Sequence, residues 1–206
     1  LFIRSKFHFG IADERELAGK MIDAVAQDVY YKDEPQIWIF DRGFPSLSLI
    51  QKLLEHRLYF VMRVSSSFLK EVNAFRKSKY VDRVIHIEYS EHRATQNHVH
   101  SDGISQFDLR CVRVKLPSGE DEILVTNLDR KDFPKRDIKE IYRLRWGIET
   151  GFNYLKNAVF VEEFVSKTEN GLAQDYFVSL LVYNFATCIC GSMYPNIPKK
   201  ENTSTR

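Results

Sequence analysis

The last third of the sequence contains a short segment whose side chains could handle phosphate chemistry. Its polar residues follow one another at steps of three, four and seven positions: Tyr142, Arg145, Glu149 and Lys156. On one continuous helix, at about 100° per residue, they fall within an arc of roughly 60°. A carboxylate would then lie between two cations, beside an apolar stripe. Taken alone, this pattern is also typical of a solvated helix surface with Arg–Glu pairs.

A second carboxylate, Asp41, points to phosphoryl transfer. It directly follows an apolar run that predicts a strand buried on both faces. A carboxylate at the tip of such a strand and Glu149 on a helix beside the sheet can meet over one groove. Two or three such carboxylates hold a pair of Mg²⁺ ions in phosphoryl transfer. Arg145 and Lys156 would then neutralise DNA phosphates, and Tyr142 would hydrogen-bond a phosphate or stack near an end base.

The elements that must position Asp41 form a predicted strand–helix–strand unit. Asp13 is the expected cap of a helix that precedes this unit. The predicted elements are, in order, a helix at 13–28, a strand at 37–40, a helix at about 46–57 and a strand at 58–64.

Residues 65–126 are predicted to be rich in β-structure and to interrupt this α/β pattern. Apolar and polar residues alternate at Ile85–Tyr89 and at Val112–Leu116, residues 117–120 form a turn signal, and a strand returns at Ile123–Thr126. Helical periodicity resumes at about 137–156 and again at about 172–190. The sequence therefore predicts four regions: a core at 1–64, a β-rich insertion at 65–126, the C-terminal helices of the core at 127–192, and a disordered tail at 193–206.

Composition limits the class of protein without identifying it. With 30 Lys and Arg against 28 Asp and Glu, the net charge of +2 neither requires nor excludes a nucleic-acid partner. Three cysteines without zinc-like spacing favour a reducing compartment. The apolar stretch Tyr176–Ile189 is too short, and too interrupted by polar residues, to span a bilayer comfortably. We therefore expect a buried helix there and no membrane partner.

Together, these residues resemble the DDE transposases of bacterial insertion sequences. Asp41-Arg42-Gly43-Phe44 follows an apolar strand, as in that family. The residues Tyr142, Arg145, Glu149 and Lys156 stand at the spacing of the YREK signature, which marks the insertion sequence 4 type. The long gap between Asp41 and Glu149 also resembles the family, because it holds a β-rich insertion. The resemblance covers most of residues 10–190.

The resemblance implies an α/β fold with an RNase H-like core, in which a mixed sheet has flanking helices. It implies that Asp41 is the second metal-binding carboxylate and Glu149 the third, in a site for two Mg²⁺ (or Mn²⁺) ions. The DNA-binding residues would be Tyr142, Arg145, Lys156 and Arg42. Such enzymes cut double-stranded DNA at the ends of an element and join the freed 3′ hydroxyl to target DNA. They work as homodimers on DNA. Because they act on bacterial DNA, the resemblance also implies a location in the cytoplasm, and at the nucleoid when the protein is bound.

One departure from the family pattern concerns the first Asp, which lies on an earlier strand several tens of residues before the second. Only 40 residues precede Asp41. Asp13 is better explained as a helix cap, and Asp23, Asp28 and Asp33 as helix or turn residues. We therefore expect the first Asp and the family's N-terminal DNA-binding region to be absent, and this chain alone to be inactive.

Several alternatives stay open at the level of the sequence. Arg42 would either contact a phosphate or pair with Asp41 in a metal-free state. Trp146 is expected to pack in the fold rather than to stack on a base. Two other functions are compatible with these residues. One is a non-catalytic DNA-binding remnant of a transposase, and the other is a glycoside hydrolase that uses Asp41 and Glu149 as an acid/base pair.

Overall fold

The computed structural model describes residues 13–31, 34–88, 106–116, 119–158 and 166–193. The side chains at 152, 155, 156, 158 and 190–193 lie outside this description, as do Asp33 and the predicted tail beyond residue 193. The described residues belong to two compact units. One unit contains residues 13–147, and the other contains 148–158 and 166–193.

The first unit is built on a sheet of five described strands. In chain order they are β1 (Ile37–Phe40), β2 (Tyr59–Arg63), β3 (Asp82–Glu88), β4 (Gln106–Lys115) and β5 (Asp121–Thr126). Their spatial order is β1-β2-β5-β4-β3. Strands β1 and β2 run parallel, whereas the other three neighbouring pairs are antiparallel. With its flanking helices, this mixed sheet confirms the predicted α/β class.

Three of the described helices cover one face of this sheet. They are α1 (Glu14–Ala26), α2 (Leu47–Glu55) and α3 (Lys70–Lys77). Their buried apolar residues pack against Phe40, Phe60 and Val125 of the strands. Burial of this apolar surface is the main favourable contribution to the stability of the unit.

A fourth helix, α4 (Lys135–Arg143), packs on the opposite face. Ile138 and Tyr142 of α4 share a core with Val61 and Leu124 of the central strands. Successive side chains of a strand alternate between the two faces. Every second residue of β1 and β2 therefore points towards α4. The carboxylate that follows β1 is at the next such position and lies on the same face.

Polar side chains cap the first turns of α1 and α2. The Asp13 carboxylate accepts a hydrogen bond from the backbone N–H of Arg15 at 2.9 Å. The Ser46 hydroxyl accepts one from the backbone N–H of Leu49 at 3.2 Å. Each cap satisfies a backbone donor that the first helical turn leaves without an intrahelical partner. The role expected for Asp13 is thus confirmed.

The region 65–126 supplies β3, β4 and β5, as its alternating pattern predicts, and also the helix α3, which the pattern does not predict. Val72 and Phe75, three positions apart, are the buried residues of α3, and its N-terminus has no side-chain cap. A helix of eight residues with two apolar positions gives a weak periodic signal. Because β5 pairs with β2, the strands of this region extend the same sheet. That residues 65–126 form an insertion into the core remains a prediction, and so do its boundaries at 64/65 and 126/127.

The single helix predicted for residues 137–156 is wrong, because the structure has two helices there. Helix α4 ends at Arg143, and α5 (Arg145–Ala158) begins after Leu144. Around this residue the backbone bonds span three positions, from the N–H of Leu144 to Ile141 and from the N–H of Gly147 to Leu144. Such tightened turns replace the regular four-residue ladder where an α-helix ends. Tyr142 therefore lies on a different helix from Arg145, and two helices replace the one continuous helix for which the common arc was predicted.

The second unit contains most of α5 and the long helix α6 (Glu169–Met193). Leu180 of α6 is buried, whereas Phe177, Leu181 and Phe185 are exposed. The predicted helix at 176–189 is present, but the prediction that it is buried is wrong. Among the described residues, no helix is both long and apolar enough to cross a membrane.

Candidate active site

The candidate site lies where the parallel strands β1 and β2 end, on the face that α4 covers. The last paired residues are Phe40 of β1 and Met62 of β2. One step further along each strand are Asp41 and Arg63, which the alternation of side chains sends to the same face. The carboxyl ends of neighbouring parallel strands are where open α/β sheets place their ligands.

Tyr142 is the residue of α4 that reaches Asp41. Its hydroxyl donates a hydrogen bond to Oδ1 of Asp41 at 3.0 Å, and the side chain is otherwise buried in the core with Ile138. Burial, and then the charge and hydrogen bond of Asp41, raise the pKa of Tyr142 above its ordinary value. The phenol is therefore a neutral donor at neutral pH. Its predicted contact with DNA remains a prediction.

Two arginines face the Asp41 carboxylate from different elements. Nη1 of Arg145, on the first turn of α5, lies 3.6 Å from Oδ2. Nη1 of Arg63, at the end of β2, lies 3.8 Å from Oδ1. Both distances exceed those of strong charge-assisted hydrogen bonds, which are about 2.7–2.9 Å. Both guanidinium groups therefore flank the carboxylate as loose ion pairs.

The environment keeps Asp41 ionised. Burial on its own would raise the pKa of this carboxyl. Against it act the hydrogen bond from the backbone N–H of Arg42, the bond from Tyr142, and the charges of Arg145 and Arg63, in that order. Together they outweigh the burial and hold the pKa of Asp41 below its ordinary value. The site thus presents an anionic oxygen pair framed by cations.

Arg63 and its partner Glu122 were not among the residues selected from the sequence. Nη2 of Arg63 forms an ion pair with Oε1 of Glu122 on β5. In the antiparallel register, Arg63 is opposite Leu124, and Glu122 lies two residues further on the same face. The signal that could have identified them is a charged residue at the end of each of two apolar strands. That signal becomes informative only when the pairing of β2 with β5 is known.

From the sequence, Arg42 was expected either to contact a phosphate or to pair with Asp41. Its backbone N–H, rather than its side chain, is the group that stabilises the Asp41 carboxylate. Among the residues that the structure describes, the ion pairs of Asp41 are with Arg63 and Arg145. The Arg42 side chain is exposed at the mouth of the site, and its contact with phosphate remains a prediction.

Glu149 and Lys156 lie on α5, within the second unit. Glu149 is partly buried and follows Arg145 by four residues. Lys156 is on the same helix, and its side chain lies outside the described part of the structure. Of the predicted site residues, the structure thus brings Asp41, Tyr142 and Arg145 together. The association of Glu149 and Lys156 with them remains a prediction.

Trp146 is exposed at 60% of its surface, so the expectation that it packs in the fold is wrong. Its ring lies 5.1 Å from the guanidinium carbon of Arg145, which is also 5.7 Å from the ring of Tyr142. These cation–π contacts help to hold the Arg145 side chain at the edge of the site. Trp146 is therefore an aromatic surface beside a cation.

The Asp41 site fits a divalent metal ion in its chemistry but supplies one ligand. An ionised carboxylate is the oxygen ligand that Mg²⁺ and Mn²⁺ prefer. Its described neighbours, however, are two guanidinium groups and a phenol. Within the described ranges, no group of three or more His, Cys, Asp or Glu side chains is arranged to hold a metal ion. The part played by Glu149 as a metal ligand remains a prediction from the sequence.

A buried ion pair anchors the segment that leads into α4. Both carboxylate oxygens of Asp82 on β3 accept hydrogen bonds from Arg110 on β4, at 3.0 and 2.8 Å. The side chains are only 3% exposed for Arg110 and 6% for Asp82. Nη1 of Arg110 also donates to three backbone carbonyls between β5 and α4, those of Leu128, Asp129 and Phe133. The pair therefore fixes the start of the helix that carries Tyr142.

Comparison with known proteins identifies a family to which this sequence is similar. The model of the family described as "Transposase DDE domain" matches residues 1–185. A Sinorhizobium fredii protein described as a transposase, y4zB, is 27% identical over 148 residues, which cover 71% of this chain and 40% of that protein.

Two further relatives are described as transposases for insertion sequence elements. The one for IS5377 of Geobacillus stearothermophilus is 22% identical over 82% of this chain and 42% of that protein. The one for IS4SA of Synechocystis is 22% identical over 96% of this chain and 50% of that protein. The chain thus spans half or less of the length of these relatives.

Proposed function

This chain belongs to the transposase DDE domain family, and we propose that it is part of the catalytic domain of a bacterial insertion-sequence transposase. The complete protein would cleave double-stranded DNA at the ends of an element and transfer the freed strand to target DNA. The mixed sheet with its flanking helices agrees with the RNase H-like core of such enzymes. Acting on DNA would place the protein in the bacterial cytoplasm, at the nucleoid when bound.

The observation that carries this proposal is the ionised Asp41 at the end of β1, with Tyr142, Arg145 and Arg63 around it. An anionic metal ligand next to cations suits a phosphodiester, because the carboxylate binds the metal ion while the guanidinium groups neutralise phosphate charge. Arg42, exposed beside Asp41, would extend this cationic surface along the DNA backbone.

We assign Asp41 and Glu149 as carboxylates that hold a pair of Mg²⁺ or Mn²⁺ ions, together with a further carboxylate. When bound, such a pair activates the attacking oxygen and stabilises the leaving oxygen of the phosphodiester. The chain's own residues orient the reaction: Tyr142 fixes Asp41 through its hydrogen bond, and Arg145 and Lys156 hold the DNA strand. The spacing of these residues supports membership of the YREK group, whose members act as dimers on paired ends.

A cleavage assay with the complete protein tests this proposal. The substrate is a duplex that carries a terminal inverted repeat from the element's flanks, incubated with Mg²⁺ or Mn²⁺ and then with a chelator. We expect strand cleavage and joining that require the metal ion and stop when it is removed.

The two rival functions predict different outcomes. Salt-sensitive DNA binding without cleavage at any metal concentration would favour the non-catalytic remnant, because phosphate contacts alone give binding that weakens with salt. Chelator-resistant hydrolysis of a glycoside would favour the acid/base pair, since that chemistry requires no divalent ion. Either result would count against the transposase proposal.

Replacing Tyr142 by phenylalanine should lower the cleavage rate about tenfold, because Asp41 loses a hydrogen bond to its charged form. The free energy of unfolding should fall by only about 1 kcal/mol, since the ring and its packing remain. Single-turnover cleavage and urea unfolding measure the two quantities.

Tyr80→Phe is the matched control for this substitution, because the Tyr80 side chain is exposed and distant in sequence from the site. It should leave both quantities unchanged. A Tyr142→Phe variant that cleaves DNA at the wild-type rate would exclude a role for the hydroxyl in holding Asp41.

A further inference from the structure

Arg63 lies between two carboxylates that differ in exposure. The side chain of Glu122 is 8% exposed, that of Arg63 is 24%, and that of Asp41 is 41%. Nη2 of the guanidinium contacts the buried Glu122, and Nη1 faces the more open Asp41 at 3.8 Å. The planar guanidinium thus connects a carboxylate inside the sheet to the carboxylate of the candidate site.

Glu122 is the better fixed of these two partners. It stands on β5, whose pairing with β2 sets its position relative to Arg63. Arg63 itself has a long side chain with many rotamers, which a close partner must restrict. Its Nε is buried and makes no hydrogen bond within the described residues. Of its two carboxylate contacts, the one with Glu122 is the closer, and it orients the guanidinium.

An arginine with a single carboxylate neighbour tends to form a close bidentate pair with it. Such a pair between Arg63 and Asp41 would occupy both oxygens that the proposed function requires. Glu122 competes for the same guanidinium from the other side, and Nη1 accordingly stays beyond hydrogen-bond distance of Asp41. The competition leaves the Asp41 oxygens accessible while the positive charge of Arg63 remains at the site.

We propose that Glu122 is a positioning residue, which holds the Arg63 guanidinium beside Asp41 but out of a close pair with it, so that Nη1 can face a DNA phosphate. This role rests on the proposed function. Glu122 acts through Arg63 and is not itself a catalytic residue. A purely structural alternative is that Glu122 only neutralises a partly buried arginine.

A double-mutant cycle in the complete protein separates the two roles. The variants are Glu122→Gln, Arg63→Ala and their combination, assayed for kcat and KM in metal-dependent DNA cleavage. We expect Glu122→Gln to lower kcat about tenfold, as for the loss of one charged hydrogen bond, with a smaller change in KM. In the Arg63→Ala background the same substitution should have no further effect on kcat.

The control is Glu140→Gln, which removes an exposed carboxylate paired with Arg143 on the surface of α4 and should leave kcat unchanged. An equal loss of kcat with and without Arg63, or no loss in Glu122→Gln, would overturn the positioning role. A wild-type protein that does not cleave DNA would overturn the proposed function itself, and this role with it.

A readout that does not depend on activity comes from the arginine side-chain NMR signals of the ¹⁵N-labelled protein, assigned with Arg63→Ala. In the wild type, the Nη groups of Arg63 should give separate signals, because the pair with Glu122 restricts their rotation. In Glu122→Gln these signals should broaden or average. Unchanged Arg63 signals in this variant would overturn the proposal even if its activity fell.

Discussion

Replacing Asp41 by asparagine should abolish DNA cleavage, with a loss of at least about 10³-fold and an intact fold. The amide keeps the shape and can still accept the hydrogen bond of Tyr142. It removes the negative charge that a divalent ion requires, and a metal ion contributes several kcal/mol to phosphoryl transfer. Glu149→Gln should have a comparable effect if Glu149 shares the site. The measurement is single-turnover cleavage at saturating Mg²⁺.

The free energy of unfolding should change little in Asp41→Asn, by less than about 1 kcal/mol, because exposed and loose ion pairs contribute little. The Asp41 side chain is 41% exposed, and its two arginines lie at 3.6 and 3.8 Å. Asp108→Asn is the matched control, since Asp108 makes an exposed pair with His86 on β3. Cleavage by Asp41→Asn within tenfold of the control would mean that Asp41 is not a metal ligand.

The largest loss of stability should come from Asp82→Asn, at about 3 to 5 kcal/mol at neutral pH. This substitution leaves the guanidinium of Arg110, which is 3% exposed, without its ionised partner. Breaking a buried pair from one side is costly because the remaining charge is neither solvated nor compensated. Urea unfolding followed by tryptophan fluorescence measures the effect.

The same pair gives a dependence of stability on pH. Burial alone would raise the pKa of Asp82, but the hydrogen bonds and charge of Arg110, together with Arg130, hold it below its ordinary value. The stabilisation is therefore fully present above the unfolded pKa of about 3.9 and is lost as the pH falls through the lower folded value. The difference between wild type and Asp82→Asn should shrink below about pH 4. Asp108→Asn, the exposed control, should destabilise by at most about 1 kcal/mol at neutral pH.

The strand–helix–strand unit around Asp41 could be predicted from the sequence because each of its signals is local. An apolar run predicts β1, a helical period predicts α2, and a second apolar run predicts β2, and the structure has all three. The carboxylate at the end of β1 then lies at the sheet edge by the topology of parallel strands. For the same reason, Asp13 could be recognised as a cap before any tertiary contact was known.

The break at Leu144 could not be predicted in this way. The residues from Asp137 to Lys156 keep a helical period across it, and neither proline nor a polar cap marks the break. What ends α4 is the backbone pattern of three-residue bonds around Leu144. The break places Tyr142 and Arg145 on different helices, and both side chains contact the carboxylate of Asp41.

Arg63 and Glu122 show a second limit of prediction from sequence. Among the described elements, α3, β3 and β4 separate them along the chain. They meet because β5 pairs with the distant strand β2 as well as with its sequence neighbour β4. No spacing rule connects two residues through such a pairing. The charged ends of apolar strands were visible, but their partnership depends on the register of the sheet.

We propose above all that Asp41 and Glu149 share one metal site. The most direct measurement is a crystal structure of the complete protein with end DNA and Mn²⁺, with the ions located by anomalous scattering. We expect two Mn²⁺ ions about 3.5–4 Å apart, with oxygens of Asp41 and Glu149 at about 2.0–2.2 Å from them. Mn²⁺ bound elsewhere, with Glu149 remote from Asp41 and the DNA, would contradict it.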